Sequence, residues 1–319
     1  MIRFFVSNRV VATFLLPFII LAFHLLNNHF EYNEISNEIN FGFWSGLFHF
    51  STLVSQLLAG IFIILNALTL NYLYNNYDFQ DKNTYIISLI YVVLMSFYYS
   101  FYRLDGILIS HLFFILSLTQ YFKLKQNNEG RETIFNCALF LGFASTFQPP
   151  LLLFFPIYIV MYLIIRPFSL RELLLFTAGF LAPLYIATIY FKLSIGKLNF
   201  DLIISNAGNQ IHKDFNVVLC FILILLVLSI LGIRARILKS SNRLKKQLQI
   251  MWFICAIAIG MGSIDLFFFQ QNERFSLIVL PLAILLSYSF LSKRYELTAT
   301  VTFYLTIAYA VIKFFIPLS

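Results

Sequence analysis

The stretch YIISLIYVVLMSFYYSFYRLDGILISHLFFILSLTQYFKL, Tyr85 to Leu124, decides the fold. Two aromatic-rich apolar runs, Tyr85 to Tyr102 and Ile107 to Leu124, are separated only by Arg103-Leu104-Asp105-Gly106. Each run is about long enough to cross a bilayer as a helix. A charged, glycine-containing break between two such runs marks a membrane surface where the chain turns back.

The rest of the chain has the same character. It is 60% hydrophobic, 18% aromatic and only 11% charged over 319 residues, with a mean hydropathy of +0.84. That composition excludes a soluble globule and, with it, the soluble-enzyme classes. The net charge of +8 does not point to nucleic acid, because the basic residues are spread over short connections between apolar runs. Cys137, Cys220 and Cys255 all lie inside apolar runs without ligand-like spacing and read as small buried hydrophobes. Arg3 and Arg9 precede an apolar run from Val10 to Leu26, but no small-residue cleavage site follows, so the run reads as a retained first helix.

The apolar runs predict about 11 spans, at 10–26, 47–74, 85–102, 106–124, 134–147, 151–165, 173–194, 217–233, 249–268, 275–291 and 298–317. All should be helical, since lipid offers backbone groups no other partner. Runs 134–147 and 151–165 are short and read as broken or tilted helices. With the N-terminus inside, 16 of the 22 lysines and arginines fall on inner connections and six on outer ones, namely Arg103, Lys192, Lys197, Lys213, Arg274 and Lys313. The expected architecture is an all-α polytopic transmembrane bundle, one integral membrane domain over 1–319. Short outer loops fall at 27–46 and 195–216 and a basic inner loop at 234–248.

The outer face gathers the polar residues of interest. Glu31, Glu34 and Glu38 form an acidic loop after the first span, and Glu34 and Glu38 would share a face on a short helix. Such carboxylates suit a general base or a divalent-cation ligand, or simply an acidic loop obeying topology. Arg103 and Asp105 open the fourth span, with His111 deeper in it; each is a functional candidate or a residue satisfied within the bundle. Phe147-Gln148-Pro149-Pro150 ends the fifth span in a cavity wall or a plain turn. The polar loop from Ile195 to Phe215 reads as a lid or a connection. Asp265 sits in an apolar segment, where a lone charge costs about 2.5–3.5 kcal/mol on insertion scales, so it needs a partner. Arg274 or Arg103 could supply it, and Arg274 could equally grip a lipid phosphate with its planar fork.

The order of these features resembles the C superfamily of membrane glycosyltransferases (GT-C), which use polyprenyl-phosphate sugars at the outer face. The resemblance rests on the acidic loop with Glu31, Glu34 and Glu38, on Tyr102-Arg103-Leu104-Asp105 at the head of the fourth span, and on the glycine-containing helix running into Gln148-Pro149-Pro150. It also rests on Arg274-Phe275 followed by Pro281. Gln148 stands where the family carries a lysine, and no tandem acidic pair is present. The Phe- and Asn-rich composition also resembles inner-membrane proteins of Bacteroidota.

The resemblance implies a multi-pass protein of a bacterial inner membrane. Its donor phosphate would be held by Arg103 or Arg274, with His111, Gln148 and Asp265 lining the substrate site. Glu31, Glu34 or Asp105 would deprotonate the acceptor, and an arginine or a carboxylate-bound divalent cation would stabilise the leaving phosphate. The lipid bilayer and a polyprenyl-phosphate lipid are the implied partners. The alternatives are a non-catalytic scaffold or accessory subunit of an envelope assembly, contacting other membrane proteins, and third a transporter, for which mid-membrane charges are few.

The basic-residue bias makes a direct prediction. With the native cysteines replaced, single cysteines at Asn33 and Asn209 should react with an impermeant reagent in intact cells, and one at Ser241 should not. Labelling at Ser241 would overturn the orientation.

Overall fold

The computed structural model describes residues 2–6, 10–30, 40–48, 50–77, 79–80, 83–124, 130–165, 169–195, 214–237, 241–269, 273–292 and 294–315. Among the described residues all regular structure is helical, as backbone in lipid requires. The helices are α1 (Ile2–Val6), α2 (Leu16–Phe30), α3 (Thr52–Asn76), α4 (Ile86–Met95), α5 (Gly106–Lys123), α6 (Arg131–Phe147), α7 (Phe154–Ile165), α8 (Leu170–Ile195), α9 (Phe215–Ile237), α10 (Asn242–Ile264), α11 (Val279–Leu291) and α12 (Glu296–Ile312). Glu31, Glu34, Glu38 and most of the loop 195–216 lie outside the described residues.

Seven helical segments among the described residues are long and apolar enough to cross a membrane: Val11–Phe30, Thr52–Asn76, Gly106–Lys123, Leu170–Leu193, Phe215–Ile237, Asn242–Phe267 and Glu273–Leu291. Ile86–Met95, Pro149–Leu163 and Glu296–Ile312 are shorter apolar helices. Their surfaces identify the solvent. On α8 the exposed side chains Leu170, Leu174, Leu181, Tyr185, Ile189 and Leu193 recur every three to four residues, so one whole face is greasy. In water such a stripe would drive aggregation. In lipid it costs nothing, and the chain is an integral membrane protein.

The run Tyr85–Tyr102, expected as one helix, is α-helical only to Met95 and ends in a tighter turn at Tyr99–Phe101. Phe97 and Tyr98 already bond carbonyls three residues back, and beyond them the segment finds an acceptor outside the helix. The backbone N–H groups of Tyr99 and Ser100 donate to the carboxylate of Glu273, at 3.0 and 3.3 Å, rather than to carbonyls of the helix behind them. Tyr98, between the two pieces, is extended at φ −112° and ψ 149°. The paired prolines Pro149 and Pro150 open a 3₁₀ turn, Pro149–Leu153, that leads into α7; at these positions their missing N–H groups leave no bond unmade. Pro281 is the third residue of α11, again within the first turn.

The chain divides into two compact units, one built from Met1–Ile35, Ala59–Arg103 and Asn209–Ser319, the other from Ser36–Leu58 and Leu104–Gly208. In the first, α11 is the hub, packed against α4, α9, α10 and α12. All ten residues of α4 are buried, and so is nearly all of α11. Serine and tyrosine tie these apolar surfaces together: Ser289 donates to Leu228 O at 2.7 Å, and Tyr288 to Phe79 O at 2.7 Å. One end of this unit is a polar seam in which Thr84 and Tyr85 donate to Phe5 O, and Gln247 to Tyr77 O.

In the second unit α6 packs against both α5 and α8. Helices approach closely where a side chain is missing. A Cβ on Gly142 would lie 2.5 Å from Pro183 Cγ and 2.6 Å from Phe180 O, and one on Gly179 would lie 2.6 Å from Phe135 O. The turn Gly42–Trp44 docks on this pair. Gly42 is left-handed at φ +63°, where a side chain would be strained and would meet Thr146 O at 2.6 Å. Trp44 Nε1 donates to Thr146 Oγ1 at 3.0 Å, and Phe43 packs with Ala187 and Phe191.

This packing yields a matched test. Gly142→Ala should lower the thermal midpoint of the detergent-solubilised protein, since overpacking costs about 1–3 kcal/mol. Gly260→Ala should leave it unchanged or raise it, because nothing lies within 4 Å of a Cβ there. Equal midpoints would contradict the close approach of α6 and α8.

Candidate functional site: a buried ionic cluster

Five helix ends of the first unit converge on charged side chains. Lys313 caps α12 and is buried; its Nζ donates to Ser96 O at 2.7 Å, just past the end of α4. The rings of Phe97, Tyr102 and Phe314 surround the ammonium at 5.3, 5.6 and 5.1 Å, an aromatic cage suited to a desolvated cation. Tyr102 OH donates to the same Ser96 carbonyl at 2.9 Å. Asp214, at the head of α9, is buried; its Oδ2 accepts from Tyr309 OH at 3.4 Å. Asp214 and Glu273 both act electrostatically on Lys313.

Glu273 has no exposed surface. Besides the two amides it takes the hydroxyl of Ser100 at 3.0 Å, so three donors fix one carboxylate. The next residue, Arg274, is also buried, and its Nη1 donates to Asp265 Oδ1. Asp265 lies at the C-terminal end of α10, where the chain passes into a π-helical turn, Asp265–Phe269. The partner that a carboxylate in an apolar segment requires is therefore Arg274, with the other oxygen, Oδ2, lacking a hydrogen-bond partner among the described residues. Arg103 directly follows Tyr102 and is buried as well.

The remaining sequence candidates fall in the second unit. Asp105 is an N-cap: its Oδ1 accepts from Leu108 N at 2.9 Å and so starts α5. Gly106, next to it, admits the backbone of Asn40 and Phe147; its N–H donates to Asn40 O at 3.1 Å, and a Cβ would lie 2.5 Å from Phe147 O. Gln148 Oε1 accepts from Ser110 Oγ at 2.8 Å, and the adjacent His111 is fully buried in α5. The structure thus joins Asp265 to Arg274, and it joins Gln148 to the helix that carries Asp105 and His111. Glu31 and Glu34 lie outside the described residues. Among the described residues no three His, Cys, Asp or Glu side chains come together as a metal site.

No family model, curated protein or solved structure matches this chain. What the cluster can do follows from its charges. Asp214, Asp265 and Glu273 stand with Arg274 and Lys313, and all five are buried. Each cation is held by a carbonyl and rings or by a carboxylate, so the cluster meets its own charges within the unit.

Sequence reasoning passed over three members of the cluster. Lys313 counts in the sequence only as a marker of sidedness, Asp214 falls in the loop 195–216, and Glu273 belongs to a polar stretch before Arg274. Lys313 was detectable by the rule applied to Asp265, since it interrupts the apolar run Ala310-Val-Ile-Lys-Phe-Phe315.

Removing one partner of the buried pair should be costly and removing both cheap. Asp265→Leu removes the carboxylate that the buried Arg274 faces and should destabilise by about 3–5 kcal/mol. Asp265→Leu with Arg274→Leu should recover most of that in a thermal melt. A single variant as stable as the double would show that the pair contributes nothing to the fold.

Proposed function

We propose that this chain is a GT-C-like membrane glycosyltransferase that transfers a sugar from a polyprenyl-phosphate donor to an envelope acceptor at the outer face of a bacterial inner membrane. The observation that carries the reading is the gathering of Asp214, Asp265, Glu273, Arg274 and Lys313 in one unit. The distribution of lysines and arginines assigns all five to the outer side. Phe5, Tyr77, Thr84 and Gln247, joined by hydrogen bonds of their own, all fall on the inner side of the same reading. This pairing of ends supports an alternating path, with the N-terminus inside and about 11 passes.

In this reading the donor enters from the outer leaflet, and Arg274 or Arg103 holds its phosphate through the planar fork. Asp265 orients Arg274. Glu31 or Glu34 accepts the proton of the acceptor hydroxyl as its oxygen bonds to the anomeric carbon. The bond from that carbon to the phosphate oxygen breaks, and the polyprenyl phosphate departs with the electron pair, inverting the centre. Asp105, whose Oδ1 holds the start of α5, serves the fold there rather than receiving a proton.

One observation favours the rival reading of a non-catalytic scaffold. The described carboxylates are already engaged within the fold: Asp105 in a cap, Glu273 with three donors and Asp265 with Arg274. The two readings part on Glu31→Gln and Glu34→Gln, assayed in membrane vesicles with radiolabelled polyprenyl-phosphate sugars. A transferase should lose about 10²-fold or more in product in one of these variants at unchanged abundance. Undiminished product from both refutes the assignment of the base, and no product from the parent protein with any donor leaves the scaffold.

A further inference from the structure

We propose that the junction of α9 and α10 is a binding site for a single anionic phospholipid. The groove there, about 480 Å³, is lined by Ile237, Lys245, Leu248, Gln249 and Trp252. Its place at a membrane surface follows from the spans alone, whichever way the protein faces. Phe215–Ile237 ends there and Asn242–Phe267 begins, and both are apolar enough to cross. Only residues 238–241 separate these two spans, so the groove straddles the boundary between hydrocarbon and water.

The lining has the two halves that a phospholipid has. Ile237 and the half-buried Trp252 offer apolar surface for acyl chains, and a tryptophan at this depth suits the headgroup level. Lys245 and Gln249, both exposed, offer a charge and an amide to a phosphate. Charge fixes the headgroup class. Arg234, Arg236, Lys239, Arg243, Lys245 and Lys246 crowd into this short stretch, and no aspartate or glutamate follows Arg234 until Asp265. Arg234, Lys245 and Lys246 are exposed beside the groove. Basic residues at a membrane surface each favour anionic lipid by about 1 kcal/mol, close to fivefold in affinity. A zwitterionic lipid offers the same phosphate but cancels it with its own cation.

The full-length protein in a Trp44→Phe background carries Trp252 as its sole tryptophan, which makes the groove observable. Vesicles of phosphatidylcholine doped with brominated phosphatidylglycerol or brominated phosphatidylcholine are the probes. The anionic quencher should act on Trp252 at several-fold lower mole fraction than the zwitterionic one, and Lys245→Gln with Arg234→Gln should cut that preference by about an order of magnitude or more. Native mass spectrometry of the unsubstituted protein should show phosphatidylglycerol retained where phosphatidylcholine is stripped, which keeps the test independent of how the variants fold. Equal quenching by both lipids, or equal retention, overturns the proposal. Loss of the preference in millimolar inorganic phosphate also overturns it, by showing a phosphate site rather than a lipid site.

Discussion

The carboxylate of Glu273 is the constraint from which the first unit takes its shape at one end. It is buried, and it accepts two backbone amides and a hydroxyl from the segment after α4. Those amides would otherwise continue the helix of the Tyr85–Tyr102 run. By capturing them, Glu273 holds Tyr99–Phe101 in a tight loop just beyond α4. Beside that loop Ser96 O and Tyr102 meet the ammonium of Lys313. One acid thus fixes the segment on which a lysine docks. Arg274, the adjacent residue, then faces Asp265.

Such a cluster is stable only as a whole. Moving one ion from water into a low-dielectric interior costs several kcal/mol after relaxation, and mutual attraction offsets this only when geometry and hydrogen bonding are good. Here each charge has both. Lys313 has a carbonyl and three rings, Glu273 has three donors, and Arg274 has Asp265. The apolar helices around them need no such care. Between helices in lipid the hydrophobic effect contributes little, so contact comes from small residues and interhelical hydrogen bonds. Gly142 and Gly179 provide the first in the second unit, and Ser289 and Tyr288 provide the second in α11.

Much of this was legible in the sequence because lipid leaves so few choices. The apolar runs among the described residues are largely helical, and the break at Arg103 to Gly106 leads into α5 with Asp105 as its cap. The need of Asp265 for a cation pointed to Arg274 or Arg103, and Arg274 is the one that it meets. What could not be read was competition between distant groups. Nothing local to Tyr85–Tyr102 announces that a glutamate about 170 residues later in the chain takes its amides. The rule that assigns lysines and arginines to sides also hid Lys313, because a residue counted as a sidedness marker was not asked who pays for its burial. The reason why Gly42 and Gly106 are small is hidden in a related way: it lies with Thr146 and Phe147, residues about a hundred and about forty positions away.

The occupancy of each carboxylate also narrows where chemistry can reside. Both oxygens of Glu273 accept backbone N–H groups, so a proton taken up there would set a buried donor against a donor. Neutralising Glu273 would weaken the loop that it holds. Asp265 differs, since only Oδ1 is engaged and Oδ2 has no hydrogen-bond partner among the described residues. Its charge faces Arg274 and orients that guanidinium within the unit.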